Sequence, residues 1–197
     1  MNYQECIDNI RSLGFADESE MEEFAESGVL YDSINRAITE INLNVAPIIE
    51  RYEFSVDEDD TGVIYTTMSD IDDAFLEFTE NPVTYEEDGE EVYKRFADYE
   101  IEAEDTLVVD TDDLNGSFRV FYKVAHETFT GADRQLREDL PLPLRVHHLV
   151  PLIAGYYVWM EDEPAKAAQY YNLYEQRRDE YIEQSSKPKG RILTGGI

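Results

Sequence analysis

Cysteine is nearly absent from this sequence: Cys6 is the only one, which excludes an internal disulfide framework. Basic residues are also scarce. Sixteen Lys and Arg stand against 45 Asp and Glu, for a formal charge of -29. Duplex-gripping surfaces place cations at phosphates, so a freely exposed face of this chain repels nucleic acid. The plain reading of such a charge is solubility; the sharper one is a surface that DNA passes without sticking. No uncharged apolar run approaches the roughly 20 residues of a membrane helix. The N-terminus MNYQECIDNI has neither the basic start nor the apolar run of a signal peptide, which sets the expectation of a reducing cytoplasm. Also missing are a Walker A loop, G-x-G-x-x-G, G-x-S-x-G and H-E-x-x-H.

What is abundant is aromatic and apolar. Hydrophobic residues make up 42% of 197, enough for one well-buried core, and 14 tyrosines and nine phenylalanines add large contact surfaces. Tyr3, Ile7, Ile10 and Leu13 repeat at helical spacing, with Gly14 as a stop. Residues 17–27 read as a short acidic helix carrying Met21 and Phe24 and ended by Gly28. Leu30, Ile34, Ala37, Ile38, Ile41, Val45 and Ile48 step by three and four. Asn35, Arg36, Glu40 and Asn44 fall largely on the other face. Pro47 bends or stops that helix.

At Glu50 the period changes to two. Tyr52, Phe54 and Val56 alternate with Arg51, Glu53 and Ser55 as in a half-buried strand. Residues 63–67 are expected to pair back on it as a hairpin, and 69–73 to be loop. Further strands are predicted at 75–79, 92–96, 99–102, 106–109 and 117–124, with an exposed turn at 86–91. Asn115-Gly116 is the strongest hairpin-turn signal.

The organising stretch is Leu140–Glu183. Leu149 to Met160 carries no charge and is apolar on all sides, so that helix must be covered, by its own domain or by another subunit. Pro151 and Gly155 weaken its propensity. Pro164 suits the first turn of the next helix, where Ala167, Tyr170, Tyr171, Tyr174 and Tyr181 form a stripe. From Ser185 the character changes again: Lys187, Lys189 and Arg191 occur with no side-chain carboxylate, and Pro188, Gly190, Gly195 and Gly196 oppose helix. Such a segment is either a frayed end or an arm that orders on a partner.

No catalytic constellation emerges, and no cofactor or metal is expected. His147 and His148 are neighbours, about 100° apart on a helix, and cannot easily share a metal. Residues 57–62 open like a calcium loop with Gly62 in the sixth place, but the twelfth is Met68 where a bidentate Glu is needed. Residues 110–113 lack the sixth-place glycine, which here is Asn115. Both read as solvated turns. The expected class is α+β: a helical bundle with an inserted antiparallel β subdomain and an extended C-terminal tail. Residues 1–184 form one domain (helices 1–49, β insertion 50–125, helices 140–184), and 185–197 the tail.

Particular phrases add a resemblance. Asn115-Gly116 leads into a strand ending in Phe121-Tyr122-Lys123. Leu140-Pro141 then precedes an apolar helix bearing His148. An acidic turn, Asp162 to Pro164, leads to the Ala- and Tyr-rich helix from Ala167 to Tyr174. With ECIDNIRSLGF and YDSINRAITEIN near the N-terminus, the chain resembles the head–tail adaptor (connector) proteins of tailed bacteriophages. The acidic segment 17–28 and the long acidic β insertion depart from that family's pattern. The resemblance implies a non-enzymatic virion protein: a homo-oligomeric ring of about twelve copies, each subunit presenting two different faces to its neighbours. Such a ring docks below the portal protein in the neck of the particle, after assembly in the host cytoplasm. It extends the channel, lets packaged DNA pass without tight binding, involves no membrane, and offers a platform to the next neck or tail protein. On this reading Lys187, Pro188, Lys189, Arg191, Ile192, Leu193 and Ile197 are candidates for portal docking, and Trp159, Tyr170 and Tyr174 for the subunit interface. Another virion role, tail completion or minor capsid protein, remains an alternative. So does a metal-dependent hydrolase, which rests on carboxylate abundance alone.

Overall fold

The computed structural model describes residues 1–13, 28–57, 62–87, 92–112 and 114–186. The predicted helix at 17–27, the glycine stop at Gly14 and the tail from Lys187 lie outside them. The class is α+β: five α-helices and antiparallel sheets among the described residues. The chain divides into two compact units, residues 47–126 and, around them in sequence, 1–46 with 127–197. That boundary falls within a few residues of the period change read at Glu50 and of the end of the last strand.

The first unit is helical. Helix α1 (Tyr3–Ser12) starts with a capping box: the Asn2 side chain accepts from Glu5 N–H at 2.8 Å, and the Glu5 carboxylate accepts from Asn2 N–H at 3.0 Å. Tyr3, Cys6, Ile7 and Ile10 are buried, whereas Leu13 sits at the C-cap and is exposed. Helix α2 (Val29–Asn44) begins at Gly28, which is its left-handed N-cap. The helix ends at Asn44, three residues before Pro47. Its apolar stripe of Leu30, Ile34, Ala37, Ile38 and Ile41 is wholly buried.

The uncharged stretch is the centre of this unit. A 3-10 segment, Leu144–Leu149, leads into α3 at Val150–Trp159, once the single-turn helix of the other unit (below) is set aside. Because the α-helix starts at Val150, Pro151 lies in its first turn, where its missing N–H breaks no helical bond. It therefore does not weaken the helix as the sequence suggested. This helix packs against α1, α2 and the long final helix, here α4 (Pro164–Ser186), so its cover comes from its own chain. Gly155 makes that approach possible: a Cβ there would sit 2.9 Å from the Tyr170 ring.

The second unit holds two sheets and a single helical turn, Met68–Ile71, where a loop was expected. Its strands are β1 (Ile49–Val56), β2 (Val63–Thr67), β3 (Phe75–Glu87), β4 (Lys94–Arg95), β5 (Tyr99–Glu102), β6 (Thr106–Asp110) and β7 (Gly116–Val124). One sheet has the order β1-β7-β3-β4, the other β2-β6-β5. Period two holds along β7: Phe118, Val120, Tyr122 and Val124 are buried, while Arg119 and Lys123 face outward. Val56, Val83, Leu107, Val109 and Phe118 belong to one core that draws on both sheets.

Two pairing expectations are corrected. The strand at 63–67 does not fold back on β1; it pairs antiparallel with β6, and β1 pairs with β7. Asn115-Gly116 closes no hairpin either, because β6 and β7 belong to different sheets. It is the crossover between them. Gly116 is needed there at φ 155°, since a side chain would run into the Glu86 carbonyl. The turn is held by Tyr85, whose hydroxyl donates to Asn115 C=O at 2.7 Å and accepts from Asn115 N–H at 3.1 Å. Strand β3 also runs longer than predicted. Between Phe78 and Val83 its register with β7 slips, and Pro82 sits in that irregularity, where no ladder N–H is required.

Candidate functional site

A cavity of about 890 Å³ in the helical unit opens between the end of α1, the 3-10 segment and the C-terminal half of α4. Leu13, Leu152 and Leu173 give it an apolar floor, and Arg145, His148 and Arg177 line one end. A second cavity of about 500 Å³ shares Leu13 and Leu173 and continues along α4 toward Lys166 and Glu163. On α4 the lining positions 166, 169, 173, 177, 180 and 184 advance by three or four, so one helix face forms a wall of both. The flanking face, with Ala167 and Tyr174, is committed to the core, and the buried Tyr170 stands between the two and also lines the second cavity.

The electrostatics of this trough differ from those of the chain. Arg177 pairs with Glu180 at 2.9 Å. Arg145 is exposed and has no carboxylate partner among the described residues. The His148 imidazole is held below its ordinary pKa by desolvation and by the nearby Arg177 guanidinium. Lys166 places its ammonium 3.5 Å from the Trp159 ring centroid.

The adjacent histidines separate as their spacing required. His147 is buried. Its Nε2 lies 2.7 Å from Leu142 C=O, and its Nδ1 lies 3.1 Å from the Met1 ammonium. A carbonyl only accepts and an ammonium only donates, so the proton sits on Nε2 and Nδ1 receives. Cys6 is fully buried, and burial pushes its thiol up to about 12, away from any nucleophilic role. Of the two calcium-like turns, Gly62 of the first meets Thr111 and Asp112 of the second, while 58–61 and 113 lie outside the described residues: the Asp112 carboxylate accepts from Gly62 N–H at 2.9 Å, and Thr111 N–H donates to Gly62 C=O at 2.8 Å. No group of three potential ligands gathers around a metal position among the described residues.

Trp159, Tyr170 and Tyr174 are core residues, 3, 5 and 1% exposed, so their own chain already covers them. Burial drives the Tyr174 phenol up to about 12 and raises that of Tyr170. Neither hydroxyl has a hydrogen-bond partner among the described residues. The aromatic surface a neighbour could reach is made by Tyr156, Tyr157 and Tyr171, which are half-buried. The Tyr156 and Tyr171 rings meet at 5.0 Å. Alternating tyrosines signalled the stripe, but the sequence could not say which of them faced inward. Lys187, Pro188, Lys189, Arg191, Ile192, Leu193 and Ile197 lie outside the described residues. Nor did any motif mark the trough, whose lining comes from three separated segments. The one available signal was Leu173, an apolar residue off the tyrosine face. No described helix is long and apolar enough to cross a membrane. No protein-family model matches the chain, and no curated protein is detectably similar to it.

Proposed function

We propose that this chain is a structural neck protein of a tailed bacteriophage, a head–tail adaptor that assembles as a ring on the portal. The ring extends the DNA channel and presents a platform to the next neck or tail protein. The observation that carries the reading is the ordered run of phrases from Asn115-Gly116, through Leu140-Pro141 and His148, to the Ala- and Tyr-rich helix ending near Tyr174. Three further features support it. The charge of -29 suits a channel wall along which a polyanion slides. Half-buried tyrosines on α3 and α4 suit a subunit contact. The cationic terminal segment, with Lys187, Lys189 and Arg191 beside Ile192, Leu193 and Ile197, suits addition to a neighbouring protein's strand or groove. No chemistry is assigned to the chain.

The test is electron microscopy of the purified chain mixed with its portal. Closed rings seated on the portal are expected, and deletion of 187–197 should weaken docking while leaving the melting temperature of the chain unchanged. A chain that stays monomeric beside its portal at high concentration overturns the reading. Labelled protein found elsewhere on the particle would instead favour a tail-completion or minor capsid role.

A further inference from the structure

We infer that the open edge of β2 pairs with the same edge of a second copy of this chain, antiparallel about a two-fold axis, so that the three-stranded sheet becomes six-stranded across two molecules. Strand β2 lies at one side of its sheet and has β6 as its single neighbour. The bonds that bracket their ladder fix which groups it uses. Thr111 N–H donates to Gly62 C=O, and Met68 N–H donates to Asp105 C=O, each at 2.8 Å. Bonding alternates along an antiparallel strand. The even-numbered Ile64 and Thr66 therefore turn their N–H and C=O toward β6, and Val63, Tyr65 and Thr67 turn theirs away. No hydrogen bond reaches those outward backbone groups among the described residues. The side chains of Val63 and Tyr65 are 49 and 63% exposed, on the face away from the core that holds Leu107 and Val109.

Open edges are ordinarily guarded by charge, by proline or by shortness. The other outer strands of the two sheets obey that rule. Strand β1 carries Glu50, Arg51 and Glu53, β4 is two residues long, and β5 carries Glu100 and Glu102. Strand β2 reads Val63-Ile64-Tyr65-Thr66-Thr67, with no charge and no proline. Its β-branched and aromatic residues are the types that favour strand pairing.

Neutrality and register select the occupant. Among the chain's own outer strands of more than two residues, only β2 sets no carboxylate into the new ladder. Pairing all five residues about a two-fold axis places Tyr65 opposite its own counterpart, Val63 opposite Thr67 and Ile64 opposite Thr66. That register brings the outward groups of 63, 65 and 67 face to face, as the alternation requires. Repulsion between two bodies of -29 opposes the pair, but it acts from outside the contact and salt screens it. Five residues a side fall short of the ~1,200 Å² of a standard interface, so the pair is weak and concentration-dependent. The inference does not rest on the neck reading. A two-fold contact uses one patch on both copies and closes at two, whereas ring contacts join two different patches.

The test is sedimentation velocity of the full-length chain, without portal, up to about 1 mM in ~0.5 M NaCl. A reversible monomer–dimer equilibrium is expected, weaker at low salt. Tyr65→Lys sets like charges opposite each other and should weaken association at least about tenfold. Leu144→Lys, at a position 76% exposed in the helical unit, should leave it unchanged. Melting curves matching the parent chain confirm that both variants fold. Mild oxidation reads the register. Tyr65→Cys should give a covalent dimer, because the Cα atoms of a bonded pair lie about 5.5 Å apart, within disulfide reach. Val63→Cys should give none, since its counterpart sits four residues along, about 13 Å away. Cys6 is fully buried and stays out of the reaction. A chain that is monomeric throughout overturns the inference, as do growth beyond two copies, association that salt weakens, and association untouched by Tyr65→Lys. Equal cross-linking by Val63→Cys overturns it as well. So does loss of association on deletion of 187–197, which would make the terminal segment the occupant of the edge.

Discussion

Asn35 and Phe129, 94 residues apart in sequence, hold each other by two hydrogen bonds. The Asn35 Nδ2 donates to Phe129 C=O at 2.8 Å, and Phe129 N–H donates to the Asn35 Oδ1 at 2.8 Å. The side chain substitutes for a strand partner and ties α2 to the segment that follows the β layer. Phe129 is itself 1% exposed, stacked on Tyr3 at 4.1 Å and set edge-on to Tyr31 at 5.2 Å. Asn35→Ala strips both partners from a part-buried peptide group, and each orphaned group costs about 1–3 kcal/mol. We expect a loss of ~3 kcal/mol by urea unfolding. Asn44→Ala is the control, since Asn44 makes only an exposed bond to Glu40 C=O and should cost under about 0.5 kcal/mol. Equal costs for the two variants would show that the clamp holds nothing.

That pair also marks a limit of periodicity. Asn35 and Asn44 are both polar residues off the apolar stripe of α2, and residue type alone does not distinguish the structural one from the solvated one. Phe129 lies in AHETFTGAD, which has no period at all. What periodicity does reveal is burial within an element: the α2 stripe, the alternation of β7 and the need to cover Leu149–Met160 were all legible. Pairing between elements was not. The 63–67 strand and the Asn115-Gly116 turn follow local hairpin rules. The pairing is set instead by β6, which β2 takes as its partner through five consecutive register positions from Val63↔Asp110 to Thr67↔Thr106. The trough was illegible for the same reason, since its walls come from the end of α1, the 3-10 segment and α4.

The surplus of acid predicts a salt response of definite sign. Cross-strand pairs do exist: Lys123 to Glu77 at 2.6 Å and Arg119 to Glu53 at 2.7 Å. They are partly exposed, so each contributes no more than about 1 kcal/mol, and salt weakens them. Repulsion within the surplus of 45 acids over 16 bases is screened by the same salt, and it involves far more charges. The melting temperature should therefore rise with NaCl concentration at pH 7. A fall would mean that the ion pairs outweigh the repulsion.

His126 gives a pH dependence in a separate window. Burial holds its imidazole below the ordinary value. The unfolded chain then takes up this proton near pH ~6.5, and the folded chain only at lower pH. Between the two, the unfolded state binds more protons, so stability is lost as pH falls through that interval. His126→Gln should flatten the slope of stability as pH falls below ~6.5 and leave the carboxylate-driven change, centred near pH ~4, untouched. An unchanged slope in the variant would assign the proton uptake elsewhere, with His148 the next group to substitute, since its imidazole is lowered by burial and by Arg177.

The β unit begins and ends on neighbouring strands, which makes it separable. Val124 N–H donates to Ile48 C=O at 3.2 Å, and Ile49 pairs with Lys123 in the β1–β7 ladder. The two points where the chain crosses its boundary are thus only a strand spacing apart, about 5 Å. Residues 47–126 can be replaced by a short Gly-Ser link without stretching the helical unit. The helical unit keeps buried residues of its own, Ile10, Ile34, Ile38, Leu149, Ile153 and Tyr174 among them. The excised unit keeps Val83, Leu107, Phe118 and Val120 around both sheets. Each piece should melt cooperatively by circular dichroism, the helical one with α-type signal and the other with β-type signal. If either piece is unfolded alone while the whole chain melts in one transition, the two units depend on each other for stability, and the insertion behaves as part of one cooperative domain.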